Sequence, residues 1–149
     1  MEIRRSELQQ EMFVILDSKV SIDIPQDAKG QDADDLDVDL TILTNKEDDH
    51  LVRILYVVKA KRTHTDKPGI DIEVYASGDF RIDVSIEADS PQFQQLVNYS
   101  ATAITYNNIR AYLQNITSYY PLDMYVLPAI DLNDLCKKYY ESIKEETKE

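Results

Sequence analysis

The chain has 149 residues, 28 acidic against 16 basic, for a formal net charge of −12. That length suits a single domain, 1–149, able to bury about 70% of its unfolded surface. The acidic balance argues against nucleic acid, whose binders need basic patches, and leaves room for basic or unfolded cationic partners, or for a surface charged for solubility alone.

The opening segment, "MEIRRSELQQ", has two arginines but is followed by no apolar core with a small-residue cleavage site, so no signal peptide is expected. Residues 1–10 are expected to fray. Val14, Leu16, Ser18, Val20, Ile22 and Ile24 alternate with polar residues, the period of a strand with one buried face, and Pro25 ends it. The polar run 26–35 reads as a loop long enough to cross over the sheet. Leu36, Val38, Leu40 and Ile42 mark a second strand; Val52, Ile54, Tyr56, Val58 and Ala60 a third. The fourth, Ile70 through Ala76 and on to Phe80, Ile82 and Val84, contains Gly78. A glycine inside a strand pattern signals a bulge or a close backbone approach. Short turns, "TNKEDD" and "THTDKPG", join the last three and make them antiparallel neighbours.

The pattern then changes period. Ser90-Pro91 is a cap followed by a first-turn proline. A longer helix is predicted over about 100–118, with Ala103, Tyr106, Ile109 or Arg110, Leu113, Ile116 and Tyr120 on one stripe, and Pro121 stops it. A last helix starts at Asp131, and the charged tail is expected to fray from about 144. Four strands followed by two helices argue α+β. No run approaches a membrane span, so no direct membrane insertion is expected.

Chemistry has little support in the sequence, and no enzyme is expected. His50 and His64 sit beside predicted turns, and the single cysteine, Cys136, has apolar helical neighbours and no implied base. One cysteine precludes an intrachain disulfide and suits a reducing, cytoplasmic setting. Asp35, Asp37 and Asp39 place Leu40 where a calcium loop needs glycine, and they lie in line on a strand. No catalytic, cofactor or metal residues are therefore assigned. The compositional oddity is ten tyrosines against three phenylalanines and no tryptophan, five of them between Tyr99 and Tyr120. Tyrosine tolerates half-exposed sites, so the cluster fits either core packing or an oligomer or client surface.

Three stretches in order, "SKVSIDIP", "IEVYASGDFRI" and "YNNIRAYLQNITS" through "LPAIDLNDL", resemble the SecB family of protein-export chaperones over about residues 12–140. The resemblance implies a four-stranded antiparallel sheet followed by two helices, and assembly with itself as a dimer of dimers through the long helix, at Tyr106, Leu113 and Ile116. It also implies ATP-independent binding of unfolded polypeptides, kept competent for translocation. In that family the connection after the long helix lines the client groove, which here points to Leu122, Met124, Tyr125 and Leu127; the competing expectation is that these residues only seal the helices onto the sheet. On the sheet face that the family offers to the SecA motor, Asp23 and Glu73 match acidic positions. Lys19 stands where another acid is usual and Asp71 where an apolar residue is usual. Two alternatives to the export role follow: a SecB-like chaperone dedicated to one client, such as an antitoxin, and an oligomeric interaction module with no chaperone activity.

Overall fold

The computed structural model describes residues 1–24, 32–120 and 124–147. Four strands, β1 (Leu8–Asp23), β2 (Ala33–Thr44), β3 (Leu51–Thr63) and β4 (Gly69–Ile82), precede α1 (Pro91–Gln95), a π-helical turn (Leu96–Ala101), α2 (Thr102–Thr117) and α3 (Leu132–Glu146). The strands form one antiparallel sheet in the order β1-β4-β3-β2. This is the α+β architecture expected from the order of patterns. β1 and β2, consecutive in the chain, lie at opposite edges of the sheet. Pro25 and Pro121, expected to end β1 and α2, lie outside the described residues.

Alternation predicts the faces of β2, β3 and β4 well. Ile54, Tyr56, Val58, Ile72, Val74, Phe80 and Ile82 all point to the helix-covered face and are almost fully buried. β1 departs from its simple pattern. Its register with β4 shifts between Gln10 and Met12, and again between Ile15 and Asp17. Each shift flips the faces, because side chains alternate with period two. Phe13 and Ile15 therefore join Val20 against the core, while Leu16, expected inside, is exposed. Pairing also begins at Leu8, within the segment expected to fray, and α3 stays helical to Glu146, past the expected start of a frayed tail.

Helix starts follow the capping chemistry. The Ser90 hydroxyl accepts from the Phe93 amide at 3.2 Å, and the Asp131 carboxylate accepts from the Asp134 amide at 3.1 Å. Residues 91–117 form one continuous helical run, widened by the π turn. The apolar stripe on α2 includes three buried threonines, Thr102, Thr105 and Thr117, that hydrophobic periodicity alone does not mark. Each is satisfied by donating its hydroxyl to the carbonyl four residues earlier, at 2.6, 2.9 and 2.6 Å. The Asn98 carbonyl in the π turn also accepts the Cys136 thiol at 3.3 Å, and the Asn98 side-chain oxygen accepts the Tyr140 hydroxyl at 2.7 Å. The π turn thus seats α3.

His50 is not a plain turn residue. Its Nδ1 faces Asp49 Oδ1 at 2.7 Å and its Nε2 faces the Ile86 carbonyl at 2.7 Å, with the ring edge-on to Phe93. A neutral imidazole has one N–H and cannot donate to both oxygens; the imidazolium can. The Ile86 carbonyl first, and the Asp49 carboxylate with it, raise the His50 pKa above 6.5 against the opposing effect of burial. A raised folded pKa gives stability that is fully present below the unfolded value and is lost as pH rises through the folded one. The urea midpoint is therefore expected to fall as pH rises from the ordinary histidine value of 6.5 through the raised folded one. His50→Phe, which keeps the contact with Phe93, should flatten that step; an unchanged step would assign it to another group.

Candidate functional site

The strand order leaves β2 at an edge, with α3 beside it. Between them runs a groove of about 490 Å³. Its floor is apolar, from Leu36, Val38 and Leu40 on β2 and Ile130 and Leu135 on the helix side. Its rim is acidic, from Asp37, Asp39, Asp131 and Asp134. Lys138 also borders it, but pairs with Asp134 at 2.9 Å. The Asn45 amide bonds to the Leu51 carbonyl, so the odd-numbered residues of β2 turn their backbone groups toward β3. The even-numbered ones, Leu36, Val38, Leu40 and Ile42, turn theirs away from the sheet. Ile42 is bonded there by Tyr139, whose hydroxyl accepts from its amide and donates to its carbonyl, both at 3.1 Å. The groove therefore offers apolar surface, negative charge and open strand edge together. The sequence pattern gives the apolar positions of β2, but nothing local in it says that α3 would lie alongside.

The connection from α2 to α3 splits by side. Tyr125 and Leu127 are 1% and 0% exposed, while Met124 and Val126 are 47% and 40% exposed. Of the four residues expected to touch a client, Met124 is accessible, Tyr125 and Leu127 are turned into the core, and Leu122 lies outside the described residues. Val126, which the sequence reading omits, shares the open side with Met124. Tyr125 has the Arg62 guanidinium over its ring at 5.0 Å, and burial raises its pKa. The backbone is fastened to α2 just beyond: Arg110 Nε donates to the Leu127 carbonyl at 2.8 Å, and the Tyr106 hydroxyl donates to the Pro128 carbonyl at 2.5 Å. Burial, chiefly, pushes the Tyr106 pKa up to about 12.

The residues expected at an oligomer interface are mostly used within the chain. Tyr106 and Leu113 are buried against its own sheet, and Ile116 is half-buried. The opposite side of α2 presents Ile104, Asn107 and Ala111.

Asp23 and Glu73 both lie on the sheet face away from the helices. Across the strands Glu73 is flanked by Lys19 and Lys59, and it accepts the Tyr75 hydroxyl at 2.8 Å. Asp71 sits opposite Lys61, while Asp35 and Asp37 stand beside Lys61 and Lys59. The acids on this face are interleaved with lysines, which also accounts for the aspartate row without a metal. Asp48, Asp49 and His50 bring donor atoms within 4.8 Å of one another. Both ring nitrogens of His50 are already engaged, Nδ1 with Asp49 Oδ1 and Nε2 with the Ile86 carbonyl, so neither is turned toward a shared cation. Cys136 is buried, and burial raises its thiol pKa, the opposite of a nucleophile's environment.

No family model and no curated protein matches the chain. Among solved structures, the Mycobacterium tuberculosis SecB-like chaperone Rv1957, in complex with a ChAD peptide from the HigA1 antitoxin Rv1956, aligns over 83% of this chain and 90% of that one. The TM-score is 0.59 and the identity 15%. A protein of unknown function from Streptococcus agalactiae aligns over 82% of this chain and 97% of its own, with a TM-score of 0.48 and 10% identity. The first likeness establishes a SecB-like fold. Among the described residues, no helix is long and apolar enough to cross a membrane.

Proposed function

We propose that this protein is a SecB-like, ATP-independent chaperone that holds an unfolded polypeptide in the groove between β2 and α3. The observation that carries the proposal is that groove: an apolar floor, an acidic rim and an open strand edge, on a SecB-like fold. A holdase needs such surface along a path, since apolar contacts are non-directional and accept many sequences. Acidic rims favour basic segments and oppose self-association. The protein acts in the cytoplasm, without a cofactor and without catalysis, and assembles as a dimer of dimers, with several weak sites on one symmetric particle acting together on one long chain. Any contribution of α2 to that assembly uses its Ile104 and Ala111 side, since Tyr106 and Leu113 serve the core.

The client-dedicated form of this activity is favoured over general export. Lysines flank Glu73 on the face that an export chaperone would offer to SecA, and a motor that seeks negative charge gains little from it. The neighbour's antitoxin peptide supports the same choice. Two measurements test the reading. An equimolar amount should suppress aggregation of an unfolded basic protein; failure to suppress it and to bind unfolded chains would leave only an interaction module. Purified SecA should show no binding at low salt, whereas Lys19→Glu with Lys59→Glu should create measurable binding. SecA binding by the unmodified protein would restore the export role.

A further inference from the structure

α3 is attached over only its first half. From Glu141 to Thr147 every residue is exposed. The attachments precede that stretch: Tyr139 to the backbone of Ile42, Tyr140 to the Asn98 side chain, and the Cys136 thiol to the Asn98 carbonyl. Upstream, the chain is fastened to α2 at Leu127 and Pro128. Among the described residues, no hydrogen bond ties Ala129 or Ile130 to the rest of the molecule. The helix is thus joined to a fixed point by a short unbonded stretch, and held down mainly by tyrosine hydroxyls and a few half-buried apolar side chains.

The Tyr139 contact has a particular form. One hydroxyl both accepts from the Ile42 amide and donates to its carbonyl, as a neighbouring strand residue would. It closes one rung of an edge whose outward backbone groups at Leu36, Val38 and Leu40 have no hydrogen-bond partner among the described residues. Edge strands left open recruit other chains, and proteins cover them.

We propose that α3 is a lid that swings about Ala129–Asp131, and that Tyr139 and Tyr140 are its latches. Opening bares the Ile42 rung and widens the apolar floor of the groove. That the lid serves to admit a polypeptide rests on the chaperone reading; that it opens does not. Hydroxyl hydrogen bonds are individually modest, so an element held by three of them, one thiol bond and a few half-buried side chains opens more often than the sheet unfolds.

Cys136 reports the motion, because it is the chain's one cysteine, 6% exposed, and lies on the buried face of α3. The test is its labelling rate with a disulfide reagent in the intact protein, over a range of low urea concentrations. The expected result is labelling almost independent of urea, raised about threefold to tenfold by Tyr139→Phe and again by Tyr140→Phe, with the urea midpoint little changed. Amide exchange at Ile42 should rise in Tyr139→Phe while that at Leu43, bonded to β3, does not. Labelling that tracks global unfolding, or that ignores both substitutions, overturns the lid. Reduced, carbamidomethylated ribonuclease A, a basic unfolded chain, at saturation supplies the second arm and should speed labelling. Latch-dependent labelling without any binding of that chain keeps the lid and removes the chaperone reading. Binding without latch dependence does the reverse.

Discussion

Gly78→Val is expected to be strongly destabilising, by about 2–6 kcal/mol. Gly78 lies in β4, a central strand, paired with Phe13 on one side and Ile54 on the other. Its φ is not positive, so no backbone strain explains the glycine. Space does. A Cβ built there would run into Thr105 Oγ1 and would stand 3.0 Å from the Phe80 ring and 3.1 Å from Thr105 Cγ2. Neither neighbour can yield cheaply. Phe80 is fully buried, and the Thr105 hydroxyl is committed to the Ala101 carbonyl inside α2. Overpacking costs about 1–3 kcal/mol, and breaking a buried hydroxyl's bond adds about 1–3 kcal/mol. Valine incurs both, against a total stability for a domain of this size of about 5–15 kcal/mol. Alanine should cost about 2 kcal/mol in urea denaturation followed by circular dichroism. Thr105→Ala removes the obstructing atoms, so the pair Gly78→Ala with Thr105→Ala should be more stable than the two single losses summed. Strict additivity would mean that α2 does not press on Gly78.

That contact shows where sequence legibility stops. Gly78 is visible as an interruption of the β4 pattern, and a close approach is one of two meanings such a glycine has. Which element approaches is decided by tertiary packing, and by three threonines that read as polar until their hydroxyls are seen turned back on the helix. The long strands, the two caps and the α+β order were legible because each rests on local chemistry: side-chain period, capping oxygen, turn residues. β1 was legible as a strand but not in its faces, because its register shifts are set by pairing with β4. His50 was legible only as a turn residue, since its second acceptor is the Ile86 carbonyl, 36 residues away. The groove was half legible. Leu36, Val38 and Leu40 announce an apolar strand face, but the open edge and the Tyr139 closure depend on which strand ends up outermost.

The segment Met124–Leu127 is where the two expectations from the sequence, groove wall and core seal, meet, and its alternation predicts that both hold on opposite sides. Leu127 is wholly buried, and its carbonyl anchors Arg110. Leu127→Ala should therefore cost about 2–5 kcal/mol, the range for a buried leucine whose site cannot collapse, read as a fall in urea midpoint at unchanged slope. Met124 and Val126 face out. Met124→Ser with Val126→Ser should change stability by no more than about 1 kcal/mol. The same pair should weaken binding of an unfolded client about tenfold, because two half-exposed apolar side chains have roughly 1–2 kcal/mol of burial left to gain from a partner. Methionine is the better placed of the two for a varied client, being unbranched and polarizable. If Leu127→Ala loses client affinity while keeping its stability, the buried side is not a seal. If the serine pair unfolds the chain, Met124 and Val126 are covered by a second copy rather than by a client, and analytical ultracentrifugation of the pair should then show a smaller particle.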